Sequence, residues 1–126
     1  MTHHAITTVQ TFLELLAARE LSQAANYLDD DVVMIFPGGN TFTNLTAFAQ
    51  WAQSRYQNID KTINSFDLIE QSNSTFTVYC YGTLRGQWTN GSPFKNIRFI
   101  DRFVITAGKI IRQEVWNDLA EDRLTN

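Results

Sequence analysis

From Lys61 to Asn117 the chain carries no helical period: apolar residues alternate with polar ones, or run together briefly, between short turn segments. Such a stretch can only be sheet. Lys61 to Glu70 predicts a moderately polar strand, Gln71–Ser74 a turn, and Thr75 to Trp88 a long alternating strand. Thr89–Pro93 supplies the next turn, and a strand through Ile97–Ile105 follows. It stops at Ala107-Gly108, where glycine accepts a positive φ, and Lys109 to Asn117 returns as its hairpin partner.

The first half has the opposite pattern. Ile6, Val9, Phe12, Leu13 and Leu16 recur at helical spacing, with Gln10, Glu14 and Arg19 elsewhere on the wheel. A second stripe, Leu21, Ala24, Ala25 and Leu28, closes at Asp29-Asp30-Asp31, before a buried strand Val32–Phe36. Pro37-Gly38-Gly39-Asn40 breaks that strand, and Asn44 caps a third helix with Phe48, Trp51, Ala52, Tyr56 and Ile59 on its apolar side. Helices gathered first and an antiparallel meander gathered last define an α+β domain, with residues 1–126 as one unit.

Composition excludes several classes of function. The net charge of -3 and scattered Lys and Arg lack the basic stripe that nucleic acid requires. Cys80 is the sole cysteine, so there is no disulfide framework and no cysteine metal site, and a reducing cytoplasmic location is expected. No basic-then-apolar leader opens the sequence, and no stretch reaches the roughly 18 apolar residues of a membrane span. Neither a metal nor another cofactor is implied.

One residue breaks the sheet pattern. In Ile97-Arg98-Phe99-Ile100-Asp101-Arg102-Phe103-Val104-Ile105, alternation puts Asp101 on the face of Ile97, Phe99, Phe103 and Ile105. A carboxyl there must be paired, hydrogen-bonded or protonated, which is the setting in which carboxyl pKa values shift. Two readings fit: a functional acid, or an ion pair inside a curved sheet. On the preceding strand Cys80 and Gly82 share the apolar face. Their small size fits a bend that curves the sheet, and also a cavity beside Asp101; both can hold.

Three patterns, in order, carry a resemblance: Tyr27-Leu28-Asp29-Asp30-Asp31-Val32-Val33 leading to Phe36-Pro37-Gly38-Gly39, then Asp101-Arg102-Phe103 leading to Gly108-Lys109-Ile110, and last Trp116-Asn117-Asp118. Over nearly its whole length the chain resembles the nuclear transport factor 2-like superfamily, in its ketosteroid-isomerase-like and SnoaL-like branches. The resemblance implies a cone: a curved antiparallel sheet wrapped around three N-terminal helices and enclosing an apolar pocket. Asp101 falls where the isomerases keep a protonated aspartic acid that donates to the substrate oxyanion, a worked case of pKa tuning. Phe36 and Phe12 stand where those enzymes have their base and their oxyanion tyrosine, so two of the three parts are absent and the resemblance argues against steroid isomerisation by that mechanism.

Asp118 looks like the strand-end acid of the cyclase and epoxide-hydrolase branches. The second acid and the arginine of the epoxide hydrolases are replaced by Val78, Tyr79, Cys80 and Tyr81, and the histidines of the dehydratases are missing, since His3 and His4 lie in an N-terminus expected to fray. The resemblance thus implies Asp101 and Asp118 as catalytic acids, with Phe12, Phe36, Trp51, Cys80, Phe99 and Trp116 lining the site. It implies acid–base action, without metal, on a small apolar carbonyl or polyketide-like compound. A pocket or assembly module without catalysis is the alternative, and a homodimer through the outer sheet face is expected in either case.

Overall fold

A computed structural model describes residues 3–125. Its elements are α1 (His4–Ala17), α2 (Leu21–Ala25), β1 (Leu28–Phe36), β2 (Asn40–Phe42), α3 (Leu45–Gln53), β3 (Tyr56–Glu70), β4 (Thr75–Trp88), β5 (Pro93–Thr106), β6 (Lys109–Asn117) and α4 (Leu119–Thr125). One curved, unclosed six-stranded sheet runs β2-β1-β6-β5-β4-β3. All neighbours are antiparallel except β1 and β6. This is the expected α+β cone.

Its first helix is better anchored than the sequence implied. The His3 ring accepts a hydrogen bond from the Ala5 N–H at 3.0 Å, caps α1 and packs against Phe76. His3 and His4 therefore do not fray. The face bearing Ala5, Val9 and Phe12 is buried, and Phe12 meets Phe103 of β5 edge-on. α3 starts as expected, with Asn44 Oδ1 accepting from the Ala47 N–H at 2.9 Å.

Three boundaries differ from the sequence reading, each for a tertiary reason. α2 ends at Ala25, and β1 takes in the acidic run, because Leu28 pairs with Ile110 while the next matched pair is Val33 with Arg112. Asp29, Asp30 and Asp31 lie in the bulge between those pairs. The three-residue β2, which has no sequence period of its own, is folded back on β1 by a turn in which Gly38 and Gly39 both take positive φ. Finally α3 stops at Gln53, so Tyr56 and Ile59 belong to β3; the Tyr56 ring joins Trp88 and Phe94 instead of extending a helical stripe.

The alternation of β5 is strict. Ile97, Phe99, Asp101, Phe103 and Ile105 are all buried, whereas Ile100 between them is 46 % exposed. The buried face looks toward the helices and, with Phe12, Val9, Met34, Val78 and Ile110, forms the core. Glycines at two bulges curl the sheet. A Cβ on Gly82 would lie 1.9 Å from the Thr62 carbonyl oxygen, and one on Gly86 would lie 2.2 Å from that of Asn58. Only glycine lets β3 press this closely on β4.

Candidate functional site

Asp101 sits mid-strand on β5, flanked by Cys80 on β4 and Val115 on β6. It is fully buried. Among the described residues one side chain hydrogen-bonds to it: Lys61 of β3 donates from Nζ to Asp101 Oδ2, and that ammonium also lies 4.5 Å from the centre of the Phe99 ring. Asp101 Oδ1 is buried with no partner among the described residues, and so is Oε1 of Gln113 on the same inner face of β6. Burial pushes the Asp101 carboxyl above its ordinary range, and the neighbouring Lys61 charge and hydrogen bond oppose that rise.

Lys61 reaches the site through a bulge. Strict alternation from Phe66 would turn Lys61 outward, but the register slips between Ile63 and Ser65, so Lys61, Ile63, Phe66 and Leu68 pair with Leu84, Gly82, Cys80 and Val78 on the inner face. Its side chain is 27 % exposed while its partner carboxylate is wholly enclosed. The lysine side chain therefore runs from a part-exposed position on the edge strand to the enclosed Asp101 carboxylate.

The thiol of Cys80, opposite Asp101, is pushed up to about 12, first by burial and then by the Asp101 charge. It is a packing group rather than a nucleophile at neutral pH.

The remaining residues singled out from the sequence fall in three places. Phe99 joins Asp101 directly, as neighbour on the strand face and as the ring beneath the Lys61 ammonium. Phe12 is core packing against Phe103. Phe36 and Trp51 belong to a separate aromatic cluster with Phe42 and Phe48, in which Phe36 stacks on Phe48 at 4.5 Å and lies 5.6 Å from Trp51. Trp116 points outward beside Ile100 and is 53 % exposed.

Asp118 lies just past β6, on the outside. Its Oδ2 accepts from Arg98 Nε at 2.5 Å, its carboxylate is 41 % exposed, and its backbone carbonyl receives the N–H groups of Glu121 and Asp122 that open α4. The structure thus brings Asp101, Cys80 and Phe99 together, adds Lys61, leaves Gln113 one inner-face row farther along beside Phe103, and sets Asp118 and Trp116 apart from them.

Two shallow depressions mark the surface. One, of about 300 Å³, lies between Phe36–Gly39 and Glu114–Trp116; the other, of about 250 Å³, lies around Asn26–Asp30 and Lys109. Asp101 lines neither. Among the described residues no group of three or more His, Cys, Asp or Glu side chains is placed to hold a metal ion, and no helix is long and apolar enough to cross a membrane.

Comparison with known proteins fits this geometry. A family model described as a SnoaL-like domain matches residues 9–113, a span that contains Lys61, Cys80, Asp101 and Gln113. The chain belongs to the SnoaL-like domain family. The match stops short of Trp116 and Asp118. No curated protein sequence matches this SnoaL-like domain.

Among solved structures, a nuclear transport factor 2-like protein of unknown function from Burkholderia pseudomallei superposes with a TM-score of 0.78 at 21% identity, covering 96% of this chain and 95% of that one. TerC, co-crystallised with polyporic acid, gives 0.79 at 16% identity, covering 97% of each chain. A protein from Shewanella frigidimarina described as a putative ketosteroid isomerase gives 0.70 at 15% identity, covering 90% of this chain and 95% of that one. At these identities the likeness shows a shared nuclear transport factor 2-like fold.

Proposed function

We propose that this SnoaL-like domain admits a small, largely apolar carbonyl or polyketide-like compound to the inner face of its sheet and acts on it by acid–base chemistry of the isomerase or cyclase kind. The observation that carries this reading is Asp101 itself: a fully buried carboxyl with one oxygen on Lys61 and the other without a partner among the described residues. Burial favours the protonated form of a carboxyl so placed while Lys61 holds it ionised, so it takes a proton once the ammonium turns to a ligand, and the neutral acid then donates a hydrogen bond to a bound carbonyl oxygen as negative charge develops there. Gln113, one inner-face row beyond Asp101 and with its buried Oε1 unpartnered among the described residues, supplies an acceptor for a hydroxyl on a ligand long enough to reach it. Phe99 gives the site an apolar wall, and the space held by the Lys61 side chain gives the ligand its way in.

This reading rests on Asp101 and Lys61 rather than on Asp118, which would have to leave Arg98 and the outer surface to join them. It is tested by following the Asp101 carboxyl carbon by NMR across a pH titration. A midpoint well above about 4, the ordinary carboxyl value, is expected, and an ordinary midpoint removes the proton donor on which the proposal stands.

A second reading, an assembly module without catalysis, is favoured by one observation: Ile100 and Trp116 are paired and exposed on the outer face. Under either reading we expect a homodimer formed through that face.

A further inference from the structure

Lys61 and Asp101 constrain the ligand further, on the assumption that the inner face is a small-molecule site. We propose that the site selects apolar compounds bearing one acidic oxygen group, a carboxylate, enolate or phenolate, which takes the place of Asp101 on the Lys61 ammonium while Asp101 takes up a proton.

The argument is one of charge conservation in a dry place. In the unliganded protein the ammonium of Lys61 has one anionic partner among the described residues, Asp101, and rests on the face of Phe99. Its side chain lies between the rim and the carboxylate, so an entering molecule meets Lys61 first. A neutral apolar ligand would have to break the ion pair and leave both charges unmatched, which is strongly unfavourable in such surroundings. An anionic oxygen instead replaces one partner of the ammonium with another.

That exchange strands Asp101. The carboxylate is then buried with neither oxygen bonded, and the described groups facing it offer no second cation: Cys80 from β4 has its thiol held protonated, and Val115 from β6 is apolar. A buried carboxylate without a counter-charge binds a proton. The resulting acid is itself a donor, so the ligand oxygen is held between an ammonium and a carboxylic O–H. The balance is simple: ligand anion and one proton enter together, and no covalent bond forms or breaks.

The test uses 2-naphthoate and its uncharged amide as probes, with titration calorimetry near neutral pH in two buffers of different ionisation enthalpy. The expected result is that naphthoate binds about tenfold to a hundredfold tighter than the amide, with close to one proton taken up per molecule bound. Lys61→Met should erase the preference for the acid. Asp101→Asn, which keeps the shape and the lysine, should retain naphthoate binding but abolish proton uptake; this variant decides the matter even if Lys61→Met folds poorly. Equal binding of acid and amide, or acid binding with no proton uptake, overturns the inference and leaves the small-molecule site standing. Failure of both probes to bind overturns the inference and the inner-face site together.

Discussion

At the scale of single residues, the Lys61–Asp101 pair joins a buried group to a part-exposed one, and its value to the fold depends on pH. Burial raises the carboxyl pKa in the folded protein above its unfolded value, while Lys61 pulls it back. A raised acid favours the fold below the ordinary carboxyl range near about 4, and that contribution is lost as pH climbs through the folded value. Removing Lys61 takes away the restraint. Lys61→Met should therefore cost little at a pH where Asp101 is protonated in both proteins, and on the order of 1–3 kcal/mol at neutral pH, where an unpaired buried charge must be neutralised. Urea unfolding of both proteins at acid and neutral pH measures the difference; a cost independent of pH would show that Lys61 contributes packing alone. Asp101 was legible in the sequence because β5 alternates without interruption. Lys61 was not, since its inward turn depends on a bulge. The sequence carries a trace of it: the apolar positions of β3 pass from odd, Ile59 and Ile63, to even, Phe66 and Leu68, opposite Gly82.

At the scale of elements, that bulge is what builds the site. Lys61 lies on the row of Leu84 and Ile97, and Asp101 on the row of Cys80 and Phe66, with β4 between their strands. On a flat sheet two strand spacings and four residues along would separate the two Cα atoms by roughly 16 Å, more than the two side chains bridge. They meet because the sheet curls, and it curls where Gly82 lets the Thr62 carbonyl oxygen approach. Gly82→Ala should cost about 1–3 kcal/mol by overpacking against backbone. It should also loosen the Lys61 contact, seen as an upward shift of the Asp101 carboxyl titration. A variant as stable as the wild type would show that the bulge adjusts freely. The bend at Gly82 was readable from sequence, as was the cap at Asn44. The ends of α2 and α3 and the strand β2 were not, because ladder pairing and the Tyr56–Trp88–Phe94 rings outweigh local period there.

At the scale of the whole molecule, the α+β class was legible from the order of elements and the cone from the resemblance its three motifs carry, and what its outer face does was not, because alternation assigns a side chain to a face without saying what covers it. That face carries the row Tyr81, Ile100 and Trp116, set across β4, β5 and β6. Beside the row, Arg102 and Arg112 both donate to Glu114 Oε1, at 2.9 and 3.1 Å, and near its other side Arg98 meets Asp118. A stripe of Tyr, Ile and Trp bordered by arginines held in place by carboxylates has the make-up of an interface centre, apolar and aromatic within a polar rim. In a two-fold dimer the same patch is used twice, so one change acts on both sides of the contact. Trp116→Glu would set a pair of carboxylates into that centre while leaving the core untouched, as the indole is 53 % exposed in the single chain. Analytical ultracentrifugation should give the mass of two chains for the wild type and of one for the variant, with the circular dichroism of both unchanged. A wild type that sediments as a monomer at micromolar concentration would detach the outer face from assembly and leave the indole to some other partner.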